Sequence, residues 1–150
     1  MGHAQRAAAS AAHHPWRRFA ELSDWALEWA ELPPGVMGLT RHDTRTVTLA
    51  LGMSQAERRC TIAHETEHIL RGPVPSHAAA REERLIDRTV AGLLMPSLSR
   101  VTEAIVRAGG HLETAADELW VDDYLLQVRL GSLTDRAMAH VHRRLAELPC

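Results

Sequence analysis

The pentapeptide His64-Glu65-Thr66-Glu67-His68 has the residue types and the spacing that could do chemistry. Two histidines four residues apart lie on one face of an α-helix, so their imidazoles can bind the same cation. Glu65 is rotated by about 100° from His64 around such a helix, where it would border the cation without ligating it and could act as general base for water. This HExxH pattern predicts a hydrolytic zinc site. The alternative is a solvent-exposed helix face whose histidines bind no metal. For Glu67, in the middle of the motif, we expect a solvated side chain.

A catalytic zinc ion usually has three protein ligands and an open fourth position. The extended pattern HExxHxxGxxH is excluded here, because Arg71 and Val74 occupy the positions of its glycine and its third histidine. The third ligand must therefore come from residues that follow. The candidates are His77 in the predicted loop and the acidic residues Glu82, Glu83 and Asp87 in the next predicted helix.

Helical geometry favours Glu83 among these candidates. Glu83 and Asp87 share one helix face, whereas Glu82 points about 100° away. The shared face continues into apolar residues and so packs inward, where a carboxylate needs a cation or hydrogen-bond donors. We expect Glu83 to be the third ligand, with His77 and Asp87 as the alternatives. If Glu83 is the ligand, Asp87 is placed to accept a hydrogen bond from an imidazole N–H of the site.

Two predicted helices position these side chains. Ser54 and Glu57 form a capping box, which predicts a helix that runs to about Arg71, where Gly72-Pro73 supplies a C-cap and a stop. The second predicted helix spans about 78–95. Further helices are predicted over 99–108, 114–120, 122–130 and 134–148.

The residues before the capping box predict a tail, a helix and a β-hairpin. Residues 1–15 are rich in Ala without an apolar period, which is typical of a disordered tail. Apolar residues then recur at three- and four-residue steps from Trp16 to Leu32, which predicts a helix. Segments 36–41 and 45–51 flank a turn-prone triplet and predict the hairpin. The second segment has the period of a half-buried strand, and the hairpin is the only convincing β signal in the sequence. We also expect Trp120 to lie in the core.

Composition and charge exclude several classes of protein. The chain has 150 residues, 45% of them hydrophobic and 24% charged, as expected for one folded domain. The net charge of -2 gives no general attraction to nucleic acid or to an anionic membrane. No apolar run approaches the roughly 20 residues of a membrane span. Two cysteines make no disulfide framework, so we expect a cytoplasmic protein. Cys60 is expected to be a small buried residue rather than a thiolate that competes for zinc.

Four stretches of the chain form a recognisable pattern: 46–51, 60–68, Glu83-Arg84-Leu85-Ile86-Asp87 and Gly92-Leu93-Leu94-Met95-Pro96. The pattern resembles the ImmA/IrrE-type metallopeptidases of bacteria and their mobile elements. Those proteins have HExxH, a loop, a Glu followed four residues later by Asn or Asp, and an apolar stretch that ends in LLMP. The resemblance covers about 35–96. It implies that His64, His68 and Glu83 bind Zn²⁺ and that Glu65 is the catalytic acid/base.

The expected fold class is α+β and mostly helical. It comprises a zincin-like core with a short β-hairpin or small antiparallel sheet, the HExxH helix, a second helix that bears the glutamate, and a C-terminal helical extension. The expected division is a disordered tail over 1–15, a metallopeptidase core over 16–96, and a C-terminal helical subdomain over 97–150 that packs on the core.

The expected function is that of a zinc-dependent endopeptidase. The resemblance implies that its substrate is a regulatory protein, typically a helix-turn-helix transcriptional repressor. The alternative is a non-proteolytic metal-binding sensor or regulatory partner, against which Glu65 argues, since a non-catalytic site needs no base. Segment 114–130 has the rhythm of a helix-turn-helix, but the acidic residues between 113 and 123 would repel phosphates. We therefore expect neither direct DNA binding nor membrane association.

Overall fold

Helices predominate in the α+β fold of residues 13–149, which are the residues described by the computed structural model. The helices are α1 (Pro15–Ala20), α2 (Gln55–Arg71), α3 (Ala79–Leu94), α4 (Leu98–Arg107), α5 (Leu112–Leu119), α6 (Asp123–Gly131) and α7 (Asp135–Ala146). The strands are β1 (Ala26–Ala30), β2 (Gly38–Arg41) and β3 (Thr46–Ala50), and a 3₁₀ turn, Ser76–Ala78, precedes α3. The predicted tail lies outside the described residues as far as residue 12, whereas Pro15 already begins α1.

The sheet has the strand order β1-β3-β2. Strand β2 pairs with β3 in antiparallel fashion, which confirms the predicted hairpin. Strand β1 pairs with β3 in parallel, with Ala26 opposite Thr46 and Ala30 opposite Ala50. Because β3 is the central strand, Thr46–Leu49 are all buried, and the prediction of a half-buried strand was wrong.

The helix predicted from Trp16 to Leu32 was wrong beyond its first turns. Only Pro15–Ala20 is helical, and Ala26–Ala30 is a strand. In the strand, Leu27 and Ala30 are partly buried, whereas Trp29 is exposed. Leu27 packs against the core that contains Val47 and Leu49 of β3. Backbone pairing with β3, which lies 20 residues further along the chain, outweighs the local periodicity.

Helix α2 begins and ends where its sequence signals predict. The Ser54 side chain accepts a hydrogen bond from the Glu57 N–H at 3.1 Å, and the Glu57 carboxylate accepts one from the Ser54 N–H at 2.7 Å. At the other end, Gly72 has a φ of 80°, a conformation that favours glycine. Helix α3 agrees with its predicted span to within one residue at each end.

Two apolar cores lie on opposite sides of α2. One contains Phe19, Val47, Leu49, Met53 and Ile62, between α1, the sheet and α2. The other begins at Cys60 and Ala63 of α2 and continues through α3 into α4–α7. Helix α2 is thus held from both sides, and the predicted boundary near residue 97 crosses one continuous core.

Trp120 is not part of this core. It is 60% exposed, and it ends α5 with a φ of 59°, in the left-handed region. In that position the backbone turns sharply between α5 and α6, and the indole is directed outward. Among the described residues, no helix is both long enough and apolar enough to cross a membrane.

The capping box predicts a measurable contribution of Ser54 to stability. Ser54→Ala leaves an N–H of the first turn of α2 without its side-chain acceptor, and it should lower the free energy of unfolding by about 1 kcal/mol in urea titrations. Ser99→Ala is the matched control, because Ser99 is exposed within α4 and does not cap that helix. Equal unfolding midpoints for the two variants would contradict the capping role.

Candidate metal centre

Helices α2 and α3 bring three of the predicted residues together. His64 Nε2 lies 2.9 Å from Glu83 Oε2, and His68 Nε2 lies 2.8 Å from Glu83 Oε1. The two imidazole Nε2 atoms are 3.1 Å apart. Among the described residues, these side chains form the one group of three or more His, Cys, Asp or Glu in which each residue offers an atom within 4.8 Å of the others.

The geometry of this group fits a divalent metal ion. Ligand atoms of a tetrahedral zinc ion, with bonds of about 2.0–2.1 Å, lie roughly 3.3 Å from one another. The separations of 2.8–3.1 Å here are slightly shorter than those edges. Two imidazoles and one carboxylate are also the ligand set that zinc takes in many hydrolytic sites.

Asp87, on the other side of the His64 ring, also supports a metal site. Its Oδ1 lies 3.1 Å from His64 Nδ1, where it can accept the Nδ1–H hydrogen bond. A neutral imidazole that donates from Nδ1 has its lone pair on Nε2. That lone pair then faces the Glu83 oxygen, and two electron-rich atoms at this distance are favourable only with a proton or a cation between them.

Tyr124 extends the chain of hydrogen bonds and was missed at the level of sequence. Its hydroxyl donates to Asp87 Oδ2 at 2.7 Å. This hydrogen bond is the main cause that raises the pKa of Tyr124 to about 12, with burial contributing, so the hydroxyl remains a donor at neutral pH. Tyr124 lies 37 residues from Asp87 in the chain, and only the packing of α6 on α3 brings them together.

Glu65 is buried beside the group, and strand β2 holds it. Thr40 Oγ1 donates a hydrogen bond of 2.6 Å to Glu65 Oε2. Gly38 lets the strand approach this closely, since a Cβ at Gly38 would lie 2.7 Å from Glu65 Oε1 and from Thr61 Cγ2. Neither Thr40 nor Gly38 was a candidate, although a glycine that opens a strand is a signal for close backbone approach.

Two neighbouring glutamates face away from the group. Glu67 is buried, and its carboxylate lies 3.5 Å from Arg18 of α1, so the expectation that it is solvated was wrong. Glu82 is also buried and accepts hydrogen bonds from Arg71, which lower the pKa of its carboxyl. Arginines compensate both charges within the fold, which leaves Glu83 as the acidic residue of the group.

The remaining candidates lie outside the group. His77 is exposed in the 3₁₀ turn and is not part of it. Cys60 is 5% exposed within the core, as predicted, and burial raises the pKa of its thiol to about 12. A thiol with such a pKa is protonated at neutral pH and does not offer a thiolate to a metal.

Two clefts meet at the group. The larger, of about 520 Å³, runs from Gly35 along β2 to α3 and α6; its acidic lining residues are Glu65, Glu83, Asp87 and Asp122. The smaller, of about 230 Å³, continues past Thr40 and His68. Both are lined by Gly38, His64, Glu65 and Glu83. The acidic lining attracts a cation, and the group is reached from both sides.

Comparisons of the chain with protein-family models, with curated proteins and with solved structures find no match. The argument for function therefore rests on the chemistry of the residues around the group and on the pattern of the sequence.

Gly38 provides a direct test of how tightly β2 packs on the glutamate. Gly38→Ala forces a methyl group against Glu65 and Thr61, and overpacking of this kind costs about 1–3 kcal/mol in the free energy of unfolding. Gly92→Ala is the matched control, because a Cβ there meets nothing within 4 Å and the change favours helix α3. Calorimetric melting should show a loss of stability for Gly38→Ala alone, and equal melting temperatures would contradict the close approach.

Proposed function

We propose that the protein is a zinc-dependent endopeptidase similar to the ImmA/IrrE type, with a zincin-like core built from the sheet, α2 and α3. The observation that carries this proposal is the convergence of His64, His68 and Glu83 beside a buried Glu65. A structural metal site has no use for a fourth, non-ligating carboxylate at that position, whereas hydrolysis requires one.

The group would hold the ion through the two Nε2 atoms and the Glu83 carboxylate. Zinc bound there supplies a Lewis acid that polarises a carbonyl and lowers the pKa of a water molecule. Asp87 orients His64 through Nδ1, and Tyr124 in turn holds Asp87. The ligands thus stand on two packed helices and are kept in place by hydrogen bonds behind them.

Glu65 is the proton carrier of the proposed reaction. It takes a proton from the attacking water as the oxygen bonds to the carbonyl carbon, and it gives that proton to the amine when the C–N bond breaks. Oε2 accepts the hydrogen bond from Thr40, so Oε1, which lies against Gly38, would be the oxygen that acts as base. Burial next to β2 keeps this carboxylate in one orientation.

The edge of the sheet can position an extended peptide. Strand β2 is an outer strand in the order β1-β3-β2, and its residues Gly38 and Thr40 line the clefts on the two sides of the group. A substrate that adds to this edge as a further strand would present its backbone carbonyl groups beside β2 and Glu65. Because clefts lie on both sides of the group, a substrate polypeptide can extend past it in both directions. This favours cleavage within a polypeptide over removal of a terminal residue.

The family resemblance suggests the class of substrate. In that family the target is a regulatory protein, typically a helix-turn-helix repressor, and we propose the same class here. The chain itself has the two-helix rhythm of such proteins in α5 and α6, but the acidic side chains there favour a docking surface for protein over one for DNA.

Two glutamates should separate metal binding from catalysis. Glu65→Gln should keep about one equivalent of zinc and should lower peptide hydrolysis by roughly 10²–10⁴-fold, because the proton carrier is lost. Glu83→Ala should lose both zinc and activity. Zinc is measured by plasma mass spectrometry, and hydrolysis is measured as new termini in a peptide library derived from a bacterial proteome.

Glu113→Gln, an exposed change in the first turn of α5, serves as the control and should behave as the wild type in both assays. Full zinc occupancy in Glu83→Ala would remove Glu83 as a ligand. If Glu65→Gln cleaved as fast as the wild type, the protein would not be a peptidase of this mechanism.

Asp87 should tune the affinity of the site. Removal of a hydrogen-bond acceptor behind a metal-bound imidazole typically costs about 10–100-fold in metal affinity, so Asp87→Ala should fall in that range in competition with a zinc chelator. Asp87→Asn, which keeps an acceptor for His64 Nδ1–H, should lose less. Asp117→Ala, an exposed aspartate of α5, is the control. Equal affinities for Asp87→Ala and Asp117→Ala would show that Asp87 does not support the metal.

A further inference from the structure

A separate cavity of about 710 Å³ lies beside the start of α2. Its walls are the start of α1, the first turns of α2, the junction of α3 and α4, and the end of α5. Its lining includes the side chains of Arg58, Arg59, Arg100 and Trp120. None of the residues that line this arginine groove lines either cleft of the metal centre.

Within residues 13–149, the groove has positive charge without a matching carboxylate. Arg58, Arg59 and Arg100 form no ion pair with any residue of that range. Glu118 is the one acidic side chain among the described residues that line the groove, and it accepts hydrogen bonds from Arg107. Burial is the main cause that lowers the pKa of Arg59; Cys60 opposes this shift, and the nearby Arg100 adds to it.

Two of these arginines are held in place by contacts other than ion pairs. The Arg58 guanidinium lies 5.4 Å from the centre of the Trp29 ring, a cation–π contact. Arg59 Nη1 donates a hydrogen bond of 2.9 Å to the backbone carbonyl of Trp120. Among the described residues, the other N–H groups of these two guanidiniums form no side-chain hydrogen bond or ion pair. A planar fork of such donors matches the oxygens of a phosphate.

An aromatic side chain stands beside the charges. Trp120 is 60% exposed, and its backbone is in the left-handed conformation. The hydrogen bond from Arg59 to its carbonyl fixes this turn. A large exposed indole next to arginines whose charges are not compensated is the arrangement in which a ligand ring stacks while its anionic group is bound.

We propose that the arginine groove binds a small phosphorylated molecule with an aromatic ring, that is, a nucleotide. The arginines bind the phosphates, and the Trp120 indole stacks on the base. The cavity volume lies within the roughly 300–1,000 Å³ of small-molecule sites. Long nucleic acid fits less well, because the exposed Glu113, Asp117 and Asp123 of α5 and α6 would repel a continuous row of phosphates.

The test is isothermal titration of the purified full chain with ADP, inorganic pyrophosphate, adenosine and a short DNA duplex. ADP should bind saturably and more tightly than pyrophosphate, which lacks the ring, and than adenosine, which lacks the phosphates. Arg100→Gln should weaken ADP by about tenfold or more, the loss of a charge-assisted hydrogen bond. Trp120→Ala should weaken ADP but leave pyrophosphate unchanged. Arg136→Gln, an exposed arginine of α7 away from the groove, should bind as the wild type does.

Three results would overturn the proposal. The first is no saturable binding of ADP. The second is equal binding by Arg100→Gln and Arg136→Gln, as would occur if the phosphates bound a metal ion at His64 and His68 instead. The third is a DNA duplex that binds more tightly than ADP and displaces it, which would make the groove part of a nucleic-acid surface. The outcome bears on the groove alone and is independent of peptidase activity.

Discussion

The close approach of two imidazole nitrogens and a carboxylate is the constraint on which the rest of the structure depends. Three electron-rich groups within 4.8 Å repel one another unless a positive charge lies between them, so the fold must hold them together against that repulsion. Helix α2 does so by packing between two apolar cores, with Ile62 in one and Ala63 in the other. Helix α3 brings the carboxylate from the second core. The group therefore stands on packed elements, and Glu65 beside it lies between its own helix and strand β2.

The elements that carry the site could be predicted because their signals are local. The capping box of Ser54 and Glu57, and Gly72 at the other end, define α2 from residues within a turn of its ends. Strand β1 could not be predicted in this way. Its backbone hydrogen bonds go to β3, and the spacing of Trp25 and Trp29 happens to agree with a helical period. The exposure of Trp120 was equally hidden, since it follows from a left-handed residue between two helices.

Within the candidate site too, features that depend on one helix could be predicted, and features that depend on contacts between distant segments could not. The face that His64 and His68 share is a property of one helix, and the placement of Glu83 required only a second helix of known phase. Thr40 and Tyr124 act across 25 and 37 residues of chain, respectively, and no local pattern marks them. The charge of an isolated glutamate also says little about its surroundings: Glu67, predicted to be solvated, faces an arginine of α1 from a buried position. Contacts between elements decide these cases, and they become visible only in three dimensions.

The most direct test of the metal centre is anomalous diffraction at the zinc absorption edge, from crystals of the protein grown with zinc. A single strong peak should lie about 2.0–2.2 Å from His64 Nε2, His68 Nε2 and an oxygen of Glu83. Such a peak would show that the three side chains bind a metal ion. A peak bound by other residues, or none between these three side chains in crystals where they are accessible, would contradict the account.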